Sequence, residues 1–152
     1  HGRRNRPGGG GPRMGGGTGV SAASAGRVWG TAVFHLRMAG CGGCSDIVDV
    51  LLRDRFRGRP RLVECSSPRH AGLVIVSGVL EEEMESGVLN VLAQAPAGVR
   101  VLAVGGCATG AGAPPGACPG VSFSERVKAD GKVRGCPVTM EALIEGVEDV
   151  NC

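Results

Sequence analysis

At 152 residues, 42% of them hydrophobic, the chain is long enough to bury one real core and too apolar to be disordered throughout. Aromatic residues are 3% of the total and tyrosine is absent, which argues against nucleic-acid recognition by base stacking. The formal net charge of +3 is unevenly placed: residues 1–30 hold Arg3, Arg4, Arg6, Arg13 and Arg27 and no acid, so residues 31–152 carry a net −2 and present no basic nucleic-acid domain.

The first seventeen residues are almost all Gly, Arg, Pro and Asn. Such a stretch cannot bury enough apolar area to offset chain entropy, so 1–30 is expected to be a disordered Gly/Arg-rich segment preceding an α/β domain over 31–152. Met14 is a candidate start. Arg3-Arg4 is not followed by the apolar stretch an export signal requires. No uninterrupted apolar run reaches the roughly 20 residues of a membrane helix, so any membrane attachment is expected to come through other subunits.

From residue 31 short apolar runs alternate with helical patterns. TAVFHLRM (31–38) reads as a strand, with His35 as a structural histidine in it. DIVDVLLRDRF (46–56) reads as a helix capped by Ser45 or Asp46, with Ile47, Val48, Leu51 and Leu52 on one face. RLVEC (61–65) is a short strand, and AGLVIVSG (71–78) is apolar enough for a strand covered on both faces. EEEMESGVLNVLAQA (81–95) opens with acids, which suit a helix N-terminus, although Gly87 weakens it. VRVLAVGG (99–106) is a second buried strand, 108–120 a Gly/Ala/Pro loop, KVRG (132–135) a short strand, and TMEALIEGVEDV (139–150) a helix capped by Thr139. This alternation predicts an α/β fold with a parallel sheet and helices on both faces.

There are seven cysteines. Cys41 and Cys44 follow the first strand, Cys107 follows the strand 99–106, and Cys136 follows the strand 132–135. In an open parallel sheet the strands end at a common edge, where ligands bind, so these loops should bring four thiols together. Four convergent thiolates suit a 4Fe-4S cluster or a zinc ion, and one close pair plus two distant single cysteines suits the larger group better. Gly40, Gly42, Gly43, Gly105, Gly106 and Gly135 beside them leave room for a cluster. Cys65 is read as a packing residue, Cys118 as a spare thiol and Cys152 as inert.

CGGC (41–44), GGCA (105–108), GCP (135–137) and SPRHAGLVIVSG (67–78) occur in that order. The sequence thereby resembles the small subunit of nickel–iron hydrogenases and the homologous 20 kDa iron–sulfur subunit of NADH:quinone oxidoreductase, over residues 31–147. Gly72 stands where the family usually has Asp, and Val138 where it has a second proline. The resemblance implies a flavodoxin-like domain with one 4Fe-4S cluster held by Cys41, Cys44, Cys107 and Cys136 at the carboxyl edge of the strands.

The spaced pair, the short chain and SPRHA resemble the energy-converting, membrane-associated hydrogenase branch. That implies an oxidoreductase subunit passing electrons to or from a nickel–iron large subunit that holds the catalytic centre. Further iron–sulfur and membrane subunits, and a place on the cytoplasmic face of the membrane, are also implied. The runner-up is the quinone-proximal subunit of a respiratory dehydrogenase-like complex; a zinc-stabilised binding module is the alternative of another class. Asp46, by resemblance a proton-relay acid and from its position equally a helix cap, and Arg69 and His70, which the resemblance places near the cluster, are candidate second-layer residues. The cluster-bearing edge is expected to be an apolar interface.

Overall fold

The computed structural model describes residues 30–53, 62–111, 115–116 and 120–152. The expected N-terminal segment up to residue 29, the residues following 53 in the first predicted helix, and Cys118 lie outside them.

The strands are β1 (Thr31–Arg37), β2 (Leu62–Glu64), β3 (Leu73–Ser77), β4 (Arg100–Val104) and β5 (Gly131–Val133). Every pairing is parallel, in the order β2-β1-β3-β4-β5, with Val33 beside Leu73, Ile75 beside Leu102 and Val104 beside Val133. The helices are α1 (Gly43–Arg53), α2 (Glu82–Ala93), α3 (Gly106–Thr109), α4 (Phe123–Arg126) and α5 (Met140–Asn151).

Alternation along the strands divides the core in two, because successive side chains leave opposite faces. Leu73 and Ile75 of β3 join Val33, Leu102, Val104 and Val133 beneath α1 and α5, which contribute Val48, Leu51, Leu143 and Val147. Val74 and Val76 join Val101 and Ala103 on the other face, against Val88 of α2, Ala108 of α3 and Phe123 of α4. All five β3 residues are buried, as expected of a central strand covered on both sides. The result is the three-layer parallel architecture anticipated from the sequence.

Local chemistry explains most of the helix limits. Ile47 and Leu52 pack against the core beside Val48 and Leu51, so the apolar face of α1 is the one its periodicity indicates. The helix starts earlier than Ser45 or Asp46, however. Asp46 N–H donates to Gly42 O at 2.9 Å, so Cys44 already lies in the first turn and Asp46 is an exposed first-turn residue, not a cap. Apolar periodicity marks where a helix becomes buried, which is later than where its hydrogen bonds begin.

In α2, Glu82, Glu83 and Glu85 sit at the positive end of the helix dipole, with no side-chain cap. The helix continues through Gly87, where an added Cβ would meet nothing within 4 Å. In α5 the Thr139 hydroxyl accepts from Ala142 N–H at 3.3 Å, as expected of its cap. Thr139→Ala should lower stability by about 1 kcal/mol, read as a fall in urea midpoint at unchanged slope. Gly146 lets α5 lie close on the sheet, since a Cβ there would run into Val133 Cγ2. Two short helices, α3 and α4, were not anticipated; each has only four residues, too few to display a periodicity.

Candidate metal centre

Chain order reverses direction between β1 and β3: β1 leads outward to β2, while β3 leads the other way through β4 to β5. A reversal of this kind opens a crevice beyond the carboxyl ends of the strands. The backbone straps the loops around it. Met38 N–H donates to Ser77 O (2.9 Å) and Val79 N–H to Ala39 O (2.7 Å), joining the segments after β1 and β3. Gly105 N–H donates to Val133 O (2.8 Å) and Gly106 N–H to Gly135 O (2.7 Å), joining those after β4 and β5.

Gly40, Cys41, Cys44, Ser45, Gly78 and Cys107 line one cleft at this edge. Cys107 sits on the single turn of α3, not in the open loop the sequence suggested, because Gly105 caps a helix immediately after β4. Cys136 lies close enough to act electrostatically on Cys44, as does Cys41. The Cys44 thiol is pushed above its ordinary range, first by burial and then by these two neighbouring sulfurs, against the opposing effect of a hydrogen bond from the Val138 backbone. Cys41 and Cys136 are exposed and free, Cys44 is half-buried and free, and Cys107 is disulfide-bonded.

The crevice is shaped by glycine. Gly105 has φ +94° and ψ 160°, a region open only to glycine, and a Cβ there would stand 2.6 Å from Cys44 Sγ. A Cβ on Gly43 would touch both Cys41 Sγ and Pro137 Cβ at 3.7 Å. The Cys136–Pro137 peptide is cis. Free thiols from the segments after β1 and β5, with the disulfide-bonded sulfur of Cys107 on α3 beside them, stand around glycine-cleared space and would fit, once Cys107 is reduced, the donor set of an iron–sulfur group, which takes thiolate ligands from separate segments. Among the described residues, no three His, Cys, Asp or Glu side chains stand close enough together for a single metal ion.

The other candidates fall elsewhere. Arg69 and His70 are exposed on a 3-10 turn (Pro68–His70) whose end joins the amino end of β3, where Gly72 N–H donates to Ala32 O at 2.8 Å. The cysteine loops leave the opposite, carboxyl edge, about 17 Å away along five strand residues. Cys65 packs against the Phe123 side of the core and its thiol donates to Ser67 O at 3.4 Å, in keeping with a packing residue. Cys152 is exposed at the end of α5. The large exposed apolar side chains, Val50, Val63, Met84 and Leu89, lie on α1, β2 and α2 and not on the cysteine loops, so the expected apolar edge is not seen among the described residues.

Next to the crevice is a polar network that sequence reasoning missed. His35 is buried, its ring 1% exposed, with Nδ1 3.1 Å from Asp49 Oδ1 and Nε2 2.9 Å from Ser77 Oγ. Arg37 pairs with the same Asp49 oxygen, and Ser77 Oγ lies 2.8 Å from Ser45 Oγ. The available signal was a polar residue on each of three apolar faces: His35 in β1, Asp49 beside Val48 in α1, and Ser77 ending β3. Burial pushes the His35 imidazole below its ordinary value of 6.5; Asp49 partly opposes this and Arg37 adds to it. Burial alone would raise the Asp49 carboxyl, but hydrogen bonds from Arg37 and His35 outweigh it and hold it below the usual range.

These directions predict acid sensitivity in two stages. Unfolded His35 gains its proton as pH falls through about 6.5, before folded His35 does, so the unfolded state binds more protons and stability falls. Folded Asp49 keeps its charge below the ordinary aspartate range, so its contribution is present above that range and lost as pH falls further. Urea midpoints between pH 7.5 and 5.5 should decline in the wild type, and His35→Gln should flatten that decline.

The fold and the thiol-bearing crevice together define a class of small parallel-sheet domain with a candidate metal centre at its carboxyl edge. Residues 37–150 match the family described as "NADH ubiquinone oxidoreductase, 20 Kd subunit", and the chain belongs to that family. One relative is a "Probable membrane-bound hydrogenase subunit mbhJ" of Pyrococcus furiosus, 31% identical over 128 residues, covering 76% of this chain and 70% of its own length. A solved structure titled "Structure of the membrane-bound sulfane sulfur reductase (MBS), an archaeal respiratory membrane complex" matches with a TM-score of 0.63 at 22% identity. It covers 80% of this chain and 68% of that one, and the likeness supports the fold. Among the described residues, no helix is long and apolar enough to cross a membrane.

Proposed function

We propose that this chain is an electron-transfer subunit of a hydrogenase-type complex, holding one 4Fe-4S cluster on Cys41, Cys44, Cys107 and Cys136. The observation that carries the reading is the meeting of thiols from separate loops at one glycine-cleared sheet edge. Membership of an oxidoreductase-subunit family and a relative named as a hydrogenase subunit support it. When bound, the cluster supplies single-electron transfer. The catalytic centre is assigned to a nickel–iron large subunit docked on the crevice. The relative is named as a subunit of a membrane-bound hydrogenase, which supports assembly with membrane subunits; the proposal places this chain peripherally, on the cytoplasmic face.

The chain's own residues hold and tune the group. Cys44 is the deepest sulfur of the free ones in the crevice, and the Val138 backbone N–H favours its thiolate. Val104, fully buried, closes the inner wall and excludes water there. Cys107 must be a thiolate to serve as a ligand, so its disulfide has to be reduced before loading. Anaerobic reconstitution with iron and sulfide should therefore load the chain after treatment with a thiol reductant and leave it poorly loaded without one, read as bound iron and visible absorbance.

The family description itself favours a second reading, the quinone-proximal subunit of an NADH:quinone oxidoreductase-like complex. Metal analysis of the anaerobically co-purified complex separates the readings. Iron with nickel is the result expected of the hydrogenase assignment, iron without nickel selects the dehydrogenase-like one, and zinc without iron overturns electron transfer altogether.

A further inference from the structure

The place of the Cys44 sulfur is set narrowly. A Cβ on Gly105 would stand 2.6 Å from it, so the thiol lies directly against the cap of α3. The chain leading to Cys44 gives little support. Gly42 has φ +83°, a Cβ there would meet nothing within 4 Å, and Cys41 before it is exposed. A helix start of this kind frays unless something outside the helix holds it.

The hold comes from the next residue. Ser45 Oγ lies 2.8 Å from Ser77 Oγ, and Ser77 is the last residue of β3, with no exposed surface. Because β3 pairs with β1 on one side and β4 on the other, Ser77 is a fixed point. Its hydroxyl is in turn 2.9 Å from His35 Nε2, while His35 Nδ1 faces Asp49 Oδ1 at 3.1 Å and Arg37 Nε–H at 3.3 Å. Asp49 lies on α1 one turn beyond Ser45, so one imidazole ties that helix to the sheet at two places.

The tie survives in either neutral tautomer of the ring. With the proton on Nδ1, the ring donates to Asp49, Ser77 donates to Nε2, and Ser45 donates to Ser77. With the proton on Nε2, Nδ1 accepts from Arg37, the ring donates to Ser77, and Ser77 donates to Ser45. Ser45 and Ser77 stay bonded in both cases, since each hydroxyl can donate or accept. Removing either hydroxyl leaves its partner short of a hydrogen bond and frees the turn that carries Cys44.

We propose that Ser45 and Ser77 are positioning residues for Cys44: their hydroxyl pair clasps the first turn of α1 to the end of β3 and holds the Cys44 sulfur against Gly105. The value of that placement for a bound group rests on the cluster reading above, whereas the clasp is a property of the chain itself.

The test is the rate at which iodoacetamide alkylates Cys44 in the full chain, read peptide by peptide by mass spectrometry. Cys65, also half-buried and free but packed in the opposite core, is the internal reference. Ser77→Ala and Ser45→Ala should each speed Cys44 about fivefold relative to Cys65, the effect of losing one hydrogen bond. Ser45→Thr, which keeps the hydroxyl, should stay near the wild-type ratio. In the anaerobically purified complex, the two alanine variants should release iron to a chelator faster by a similar factor. An unchanged Cys44 rate in both alanine variants, or equal speeding of Cys44 and Cys65, overturns the clasp and leaves the cluster reading standing. A wild-type complex with no iron on this chain overturns the cluster reading, and the alkylation ratio then still decides the clasp.

Discussion

Replacing any one of Cys41, Cys44, Cys107 or Cys136 with alanine is expected to abolish the reduced-cluster EPR signal of the complex and to remove about four irons per chain. The effect should be near total because a cubane iron cluster is held through all four corners, and an open corner exposes it to solvent and oxidation. Cys107→Ala is the most informative, since Cys107 comes from a different segment, α3, than the closely spaced Cys41 and Cys44. Cys65→Ala is the control. That sulfur packs against the opposite core and donates to Ser67 O, so its loss should cost some stability and leave iron content unchanged. Iron retained in Cys107→Ala but lost in Cys65→Ala would reassign the ligand set.

Gly105→Ala should damage the protein nearly as much, by a different route. The residue sits at φ +94° and ψ 160°, where a side chain costs about 1–3 kcal/mol of backbone strain. The new methyl would also stand 2.6 Å from Cys44 Sγ, and overpacking of this kind costs about 1–3 kcal/mol more. Neither cost is easily relieved, because Gly105 N–H is tied to Val133 O and Thr109 N–H to Gly105 O. The expected result is a loss of about 2 kcal/mol or more in urea unfolding, with displacement of Cys44 and lower iron retention. Gly87→Ala is the counterpart. Gly87 lies in the middle of α2 with nothing within 4 Å of a new Cβ, so alanine should stabilise the chain by about 0.5–1 kcal/mol. The same substitution thus has opposite signs at two glycines.

Strand positions were legible because β-type runs are short and bounded by polar turns. Residues 71–78 read as a doubly buried strand, and β3 proved to be buried at all five positions. Thr139 read as a cap and caps α5 through Ala142. The start of α1 was not legible, because glycine around Cys41 and Cys44 conceals a helix whose first turn is tied by the backbone bond from Asp46 N–H to Gly42 O. Nor were α3 and α4, each a single turn. The place of Arg69 and His70 at the amino edge follows from strand direction, which their motif does not reveal.

By itself, the sequence determined the fold class, the order of the elements and the family, because hydropathy periodicity and local motifs are properties of consecutive residues. It also put Cys41, Cys44, Cys107 and Cys136 after strands, which in a parallel sheet brings them to one edge. Only the tertiary structure decided how that edge is built. The strand order opens the crevice between β1 and β3, Gly105 clears space for Cys44, and α3 carries Cys107. The same holds for the His35 network. Residues 35, 45, 49 and 77 carry no shared motif, and Ser77 reaches the others only through the packing of β3 beside β1, with α1 laid over the pair. A contact across that distance in sequence is decided by sheet register and helix packing, which no local pattern encodes.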